Sequence, residues 1–90
     1  MSRKYYGQYH LRRTAGGLLF GGCIRKIRET KGRSVEEAAR LAGMEASEWL
    51  DVEAGRAPGV AQLRPIAHAL ELSDDNLTPL LLLCRDAWEM

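Results

Sequence analysis

Between Ser34 and Pro58 the chain reads SVEEAARLAGMEASEWLDVEAGRAP, a pattern that fits two short helices set across a glycine turn and little else. Ser34 with Glu37 three residues on makes a capping box, in which side-chain oxygens serve the backbone donors that open a helix. Val35, Ala38, Ala39 and Ala42 follow at helical spacing and are small enough to let another helix approach closely. Gly43 ends that helix and Met44 plugs the turn. A second helix over about 46–54 turns Trp49 and Val52 inward until Gly55 closes it. This second helix is acidic, with Glu45 at its start and Glu48 and Asp51 along it.

Helical periodicity extends to both sides of this pair. Phe20, Ile24 and Ile27 form the apolar stripe of a helix over about 19–31, which Gly32 can stop in the left-handed conformation. Val60, Leu63, Ile66, Ala67 and Leu70 repeat as a fourth helix, within which Pro65 removes a backbone donor, so this helix begins late or bends. Ser73, Asp74 and Asp75 read as a short capped turn. Thr78 and Pro79 read as the cap and first position of a final helix from Leu80 to about 89. Leu80, Leu83, Ala87 and Trp88 share one side of it, with Leu81 and Cys84 adjoining, which suits packing onto the domain or a dimer contact. Residues 1–18 show no clean helical period and read as a basic arm bearing Tyr5, Tyr6 and Tyr9. The expectation is an all-α bundle of about five helices: an arm over 1–18, a domain over 19–77 and an extra C-terminal helix over 78–90.

Ninety residues suit one core, and 46% hydrophobic with 28% charged residues is an ordinary globular composition. No stretch has the length and apolarity of a membrane span, and no continuous apolar run precedes Arg25 as a secretory leader would require, so a cytoplasmic location is expected. Cys23 and Cys84 are too few for a disulfide framework and lack metal-ligand spacing. Both are expected to be buried, and no cofactor is expected. A net charge of +1 conceals a division of sign: up to Arg33 nine basic residues face one acid, and from Ser34 onward four arginines face eleven acids. Such asymmetry points either to a polyanionic partner or to internal neutralisation of one part by the other.

Five pieces of this pattern, in register over about residues 19–77, resemble the helix-turn-helix domain of phage repressors and Cro, the XRE family. They are Phe20-Gly21 with Ile24, Arg25, Ile27 and Arg28; Lys31-Gly32; Ser34 with Glu36, Glu37 and Ala39; Gly43-Met44; and Glu53-x-Gly55 near Pro58 before the Leu63, Ile66, Ala67, Leu70 spacing. The resemblance implies a lambda-repressor-like fold and double-stranded DNA as partner, with the third helix in the major groove and the second resting on the backbone. By position it assigns Glu45, Ala46, Ser47, Leu50 and Asp51 to the groove, with Glu48 beside them, and it reads Glu53 as structural. The family usually has glutamine after the capping serine, where this chain has Val35; Arg33 stands where an apolar residue is usual.

Two functions are compatible with these residues. One is a small DNA-binding transcriptional regulator, a homodimer, whose affinity comes from Arg3, Lys4, Arg12 and Arg13 of the arm together with helix 1, Arg33, Ser34 and Arg56. The other keeps the scaffold and uses the acidic third helix to bind a basic protein partner, since an apolar spot rimmed by acids suits such contact. An enzyme is not expected. His10 and His68 are far apart in sequence, and no phosphate-cradling glycine loop is present.

Overall fold

The computed structural model describes residues 14–88. Among these residues, five α-helices run in the order α1 (Ala15–Thr30), α2 (Val35–Leu41), α3 (Ala46–Glu53), α4 (Leu63–Ala69) and α5 (Asp74–Leu83). Single 3₁₀ turns at Val60–Gln62 and Arg85–Ala87 precede α4 and follow α5. Among the described residues there is no strand, as the all-helical expectation requires. The arm residues Arg3, Lys4, Arg12 and Arg13 lie outside the described residues.

The longest helix begins earlier than its apolar stripe suggests. Thr14 caps α1 by accepting a hydrogen bond from Gly17 N at 2.9 Å, so residues 15–18, expected in the arm, are helical. Glycines 16, 17, 21 and 22 disfavour a helix by local propensity, because glycine is a poor helix former. Tertiary packing overrides that preference. A Cβ on Gly21 would collide with the backbone carbonyls of Val52 and Glu53, and one on Gly17 with that of Gly55, so α1 lies directly on the end of α3. Phe20 and Ile24, on the same side, are fully buried.

The core gathers Phe20 and Ile24 of α1, Ala38, Ala39 and Ala42 of the second helix and its cap, Trp49 and Val52 of α3, and Leu63, Ile66, Ala69 and Leu70 of the fourth. Helices α2 and α3 pack against each other, α1 covers α3, and α4 backs α2. The turn between α2 and α3 works as its sequence suggests: Gly43 takes φ +70°, and Met44 N donates back to Ala39 O at 2.9 Å. Ser34 caps α2 by accepting from Glu37 N at 3.0 Å. Pro65 is the third residue of α4, where its missing N–H would have had no partner in the helix. The fourth helix therefore starts late rather than bending, and Val60, counted in its stripe, is 71% exposed.

The C-terminal region departs most from expectation. Helix α5 starts at Asp74, four residues before Thr78, and runs through Pro79 instead of starting there. The apolar side that packs inward is Leu77, Leu80, Leu81, Cys84 and Trp88, whereas Leu83, assigned to it, is 67% exposed and Leu82 is 62% exposed. Trp88 ties the segment after α5 to the domain. Its ring meets Phe20 edge-on at 5.2 Å between centroids, and its Nε1 donates to Pro58 O at 2.8 Å. The last segment therefore packs onto its own domain.

The two cysteines have different fates. Cys84 is fully buried, and desolvation pushes its thiol pKa above the ordinary value, whereas Cys23, also expected to be buried, is half-buried on the outer side of α1. In dilute native protein one thiol, Cys23, is expected to react readily with a thiol reagent, and the second only on unfolding. Equal rates for both would contradict this packing.

Candidate nucleic-acid interface

Helix α3 shows two faces. Trp49 and Val52 are buried, while Ser47 and Leu50 are exposed, Leu50 by 51%, and Ala46 and Asp51 are half-buried. Glu45 precedes the helix as an exposed cap in extended conformation. The residues that the resemblance assigned to the groove therefore run together from the exposed start of α3 along its outer side, with Ser34 exposed at the start of α2.

A largely sheltered ion pair fixes the far end of α3. Glu53 accepts from Arg28 Nε at 2.5 Å, from Arg28 Nη2 at 3.1 Å and from Trp49 Nε1 at 2.5 Å. Arg28 Nη1 donates in turn to Arg33 O at 3.0 Å, so one guanidinium ties α1 to α3 and to the loop before α2. The side chains of Arg28 and Glu53 are only 12% and 7% exposed. The hydrogen bond to Glu53 raises the pKa of Arg28 above its ordinary value, against the opposing effect of burial.

The acids of α3 are less free than the sequence alone suggests. Glu48 turns back along its helix and accepts from Glu45 N at 3.0 Å, which occupies one of the donors that a helix start leaves open. Asp51 forms an ion pair with Arg56 at 3.4 Å, and Arg56 N donates to Asp51 O at 3.0 Å, so the loop after α3 folds onto its last turn. Helix packing explains why Glu48 and Asp51 sit half-buried on the flanks of α3, while Ser47 and Leu50 stand at its crest.

Among the described residues, three cations of the basic first third pair with acids of the remainder. Besides Arg28 with Glu53, Lys31 and Arg33 both reach Glu71, at 3.5 Å and 2.6 Å, and Arg33 reaches Glu37 at 3.6 Å. Arg25 is paired with Glu29 within α1. Glu71 takes φ +58°, a left-handed conformation usually left to glycine at a helix end. Arg33 is thus turned toward Glu71, with its side chain 20% exposed, and not toward open solvent. Nothing in the sequence spacing links residue 33 to residue 71. Arg40, which sequence reasoning did not single out, is exposed in the last turn of α2, where the helix dipole favours a cation.

Comparison with known proteins identifies the arrangement. The family model described as helix-turn-helix domain matches residues 19–80, which is most of the chain. The chain belongs to the helix-turn-helix domain family. Among solved structures, the clp gene regulator ClgR from C. glutamicum is similar, with a TM-score of 0.66 and 20% identity, over 87% of this chain and 99% of that one. At that identity the likeness shows a shared fold. A comparison with curated proteins yields no match. In this helix-turn-helix domain α2 and α3 are the paired helices, and the match takes in α4 and the first turns of α5.

Among the described residues, no group of His, Cys, Asp or Glu is placed to hold a metal, and no helix is long and apolar enough to cross a membrane.

Proposed function

We propose that this helix-turn-helix protein is a DNA-binding transcriptional regulator of the cytoplasm that acts as a homodimer on double-stranded DNA. The observation that carries this reading is the placement of α3, anchored by its buried face and with Ser47 and Leu50 exposed on its outer side. In that mode the start of α3 meets base edges and α2 rests on the phosphates. Ser47 hydrogen-bonds a base edge, Ala46 and Leu50 offer apolar contact to thymine methyl groups, and Glu45 or Asp51 accepts from cytosine N4. The Ser34 hydroxyl, its oxygen already accepting from Glu37 N, has its proton for a phosphate. Arg56 serves a phosphate when it leaves Asp51; Arg33 does so only by releasing Glu71.

Because helix 1 and Arg33 are largely neutralised within the fold, phosphate affinity falls chiefly to the arm, through Arg3, Lys4, Arg12 and Arg13. Replacing Arg12 and Arg13 together by alanine is expected to weaken binding to all duplex sequences alike and to lower the salt slope by about 2, one for each lost phosphate contact. Fluorescence anisotropy at several salt concentrations measures both. An unchanged slope would remove the arm from the interface.

A second reading rests on the acids at the start of α3 and on the exposed Leu50, which together suit a basic protein surface. It predicts a chain that ignores duplex DNA at low salt, and the same titration separates the two.

A further inference from the structure

Among the described residues, one side of α1 is covered by no other element. Leu18 is 53% exposed, Leu19 42% exposed, and with Gly22, Cys23 and Lys26 they line a shallow groove on the side of the helix facing away from the core. Leu83, also largely exposed, continues this surface beside Leu19. Gly22 is the informative residue. A glycine in mid-helix disfavours the helix, and the other helical glycines of α1 are explained by backbone or side chains pressed against them. At Gly22 a Cβ would meet nothing within 4 Å, so no contact among the described residues requires it. A glycine flanked by exposed leucines fits an outside helix that comes close.

We infer that this surface of α1 binds the same surface of a second copy, the two helices crossing antiparallel. Register and charge both favour that occupant. If the crossing point lies between Phe20 and Gly21, Leu19 of each copy faces Gly22 of the other and fills the hollow above it. The same register sets Lys26 opposite Ala15 of the second copy. Lys26 is exposed and makes no ion pair among the described residues. Asp86 lies beside the start of α1, where its Oδ2 accepts from Gly16 N at 3.2 Å, and it is exposed. Two equivalent Lys26 to Asp86 pairs then flank the leucine contacts, as a twofold interface demands. The surface specifies the dimer of the reading above and rests on its dimeric part alone, because association is read without DNA.

A single helix pair stands at the small end of protein interfaces, below roughly 1,200 Å² in total, so association is expected at about micromolar to tens of micromolar concentration. Sedimentation equilibrium of the full chain from about 1 to 200 µM covers that range. The wild type is expected to pass from monomer to dimer. Leu19→Asp is expected to raise the dissociation constant at least about 10-fold with an unchanged circular dichroism spectrum, because the side chain is exposed. Gly22→Leu gives a sharper test. It should raise the melting temperature of the dilute monomer by improving helix propensity while weakening the dimer by a similar factor, a pair of effects that damage to the fold would not produce. Lys26→Asp should weaken association, and adding Asp86→Lys should restore much of it. A wild type that is monomeric throughout, a Gly22→Leu variant that associates as wild type does, or a charge-swapped pair no better than Lys26→Asp would overturn the assignment. Failure to bind DNA by a chain that does dimerise would leave it intact and overturn only the regulator reading.

Discussion

Replacing Glu53 by alanine is expected to destabilise the domain by about 3–5 kcal/mol, the usual result of stripping a buried ion pair of one partner. Glu53 accepts from both Arg28 and Trp49, and its side chain and that of Arg28 are almost entirely out of water. Without the carboxylate a guanidinium and an indole N–H are left unpaired where solvent reaches them poorly. For a domain of this size the loss corresponds to a fall in melting temperature on the order of 20 °C. Removing both charges, as Arg28→Leu with Glu53→Leu, should be milder than Glu53→Ala, because no charge is then left buried without a partner. Thermal and urea unfolding measure both variants. A loss below about 1 kcal/mol for Glu53→Ala would mean that α3 is not anchored through this pair.

Replacing Glu45, Glu48 and Asp51 together by glutamine is expected to tighten binding to random duplex DNA by about 10-fold at low salt. Three bare carboxylates near phosphates would oppose binding by about 1 kcal/mol each in a water-like dielectric. The structure reduces that sum, since Asp51 is already paired with Arg56 and Glu48 is turned back toward Glu45 N. What remains is mainly the exposed Glu45, together with the release of Arg56 for a phosphate. The gain should fade as salt rises, because both contributions are electrostatic. On a preferred sequence the same variant should discriminate less between bases, since a carboxylate that accepts from cytosine N4 is lost. Tightening of about 1,000-fold or more would instead show a surface built to reject DNA, in favour of a protein partner.

How much of this was legible in the sequence depended on how local the determining contacts are. The capped start at Ser34, the turn at Gly43 and the inward pair Trp49 and Val52 follow from neighbours a few residues apart, and all are present in the fold. The start of α1 was missed because its glycines answer to backbone carbonyls at residues 52, 53 and 55, more than thirty positions away. The start of α5 was misplaced because Thr78 and Pro79 form a good opening by local rules, while Ser73 and the two aspartates after it form another. The later expected start also leaves Leu77, which packs inward, outside the helix. The coarse division of charge was visible, but its resolution was not. The pairing of Lys31 and Arg33 with Glu71 depends on the end of α4 folding back against the loop before α2, and that is a property of the packed bundle.

Two-dimensional ¹H–¹⁵N correlation spectra of the full chain, titrated with duplex DNA at about 50 mM salt, test the central claim most directly, since exposed charges are screened only weakly there. The account predicts that the amides of Ser34, Glu45, Ser47, Leu50 and Arg56 shift with DNA concentration while those of Leu77 and Leu80, on the inner side of α5, stay in place. Spectra that do not change with DNA, or changes confined to α5 and the outer side of α1, would contradict it.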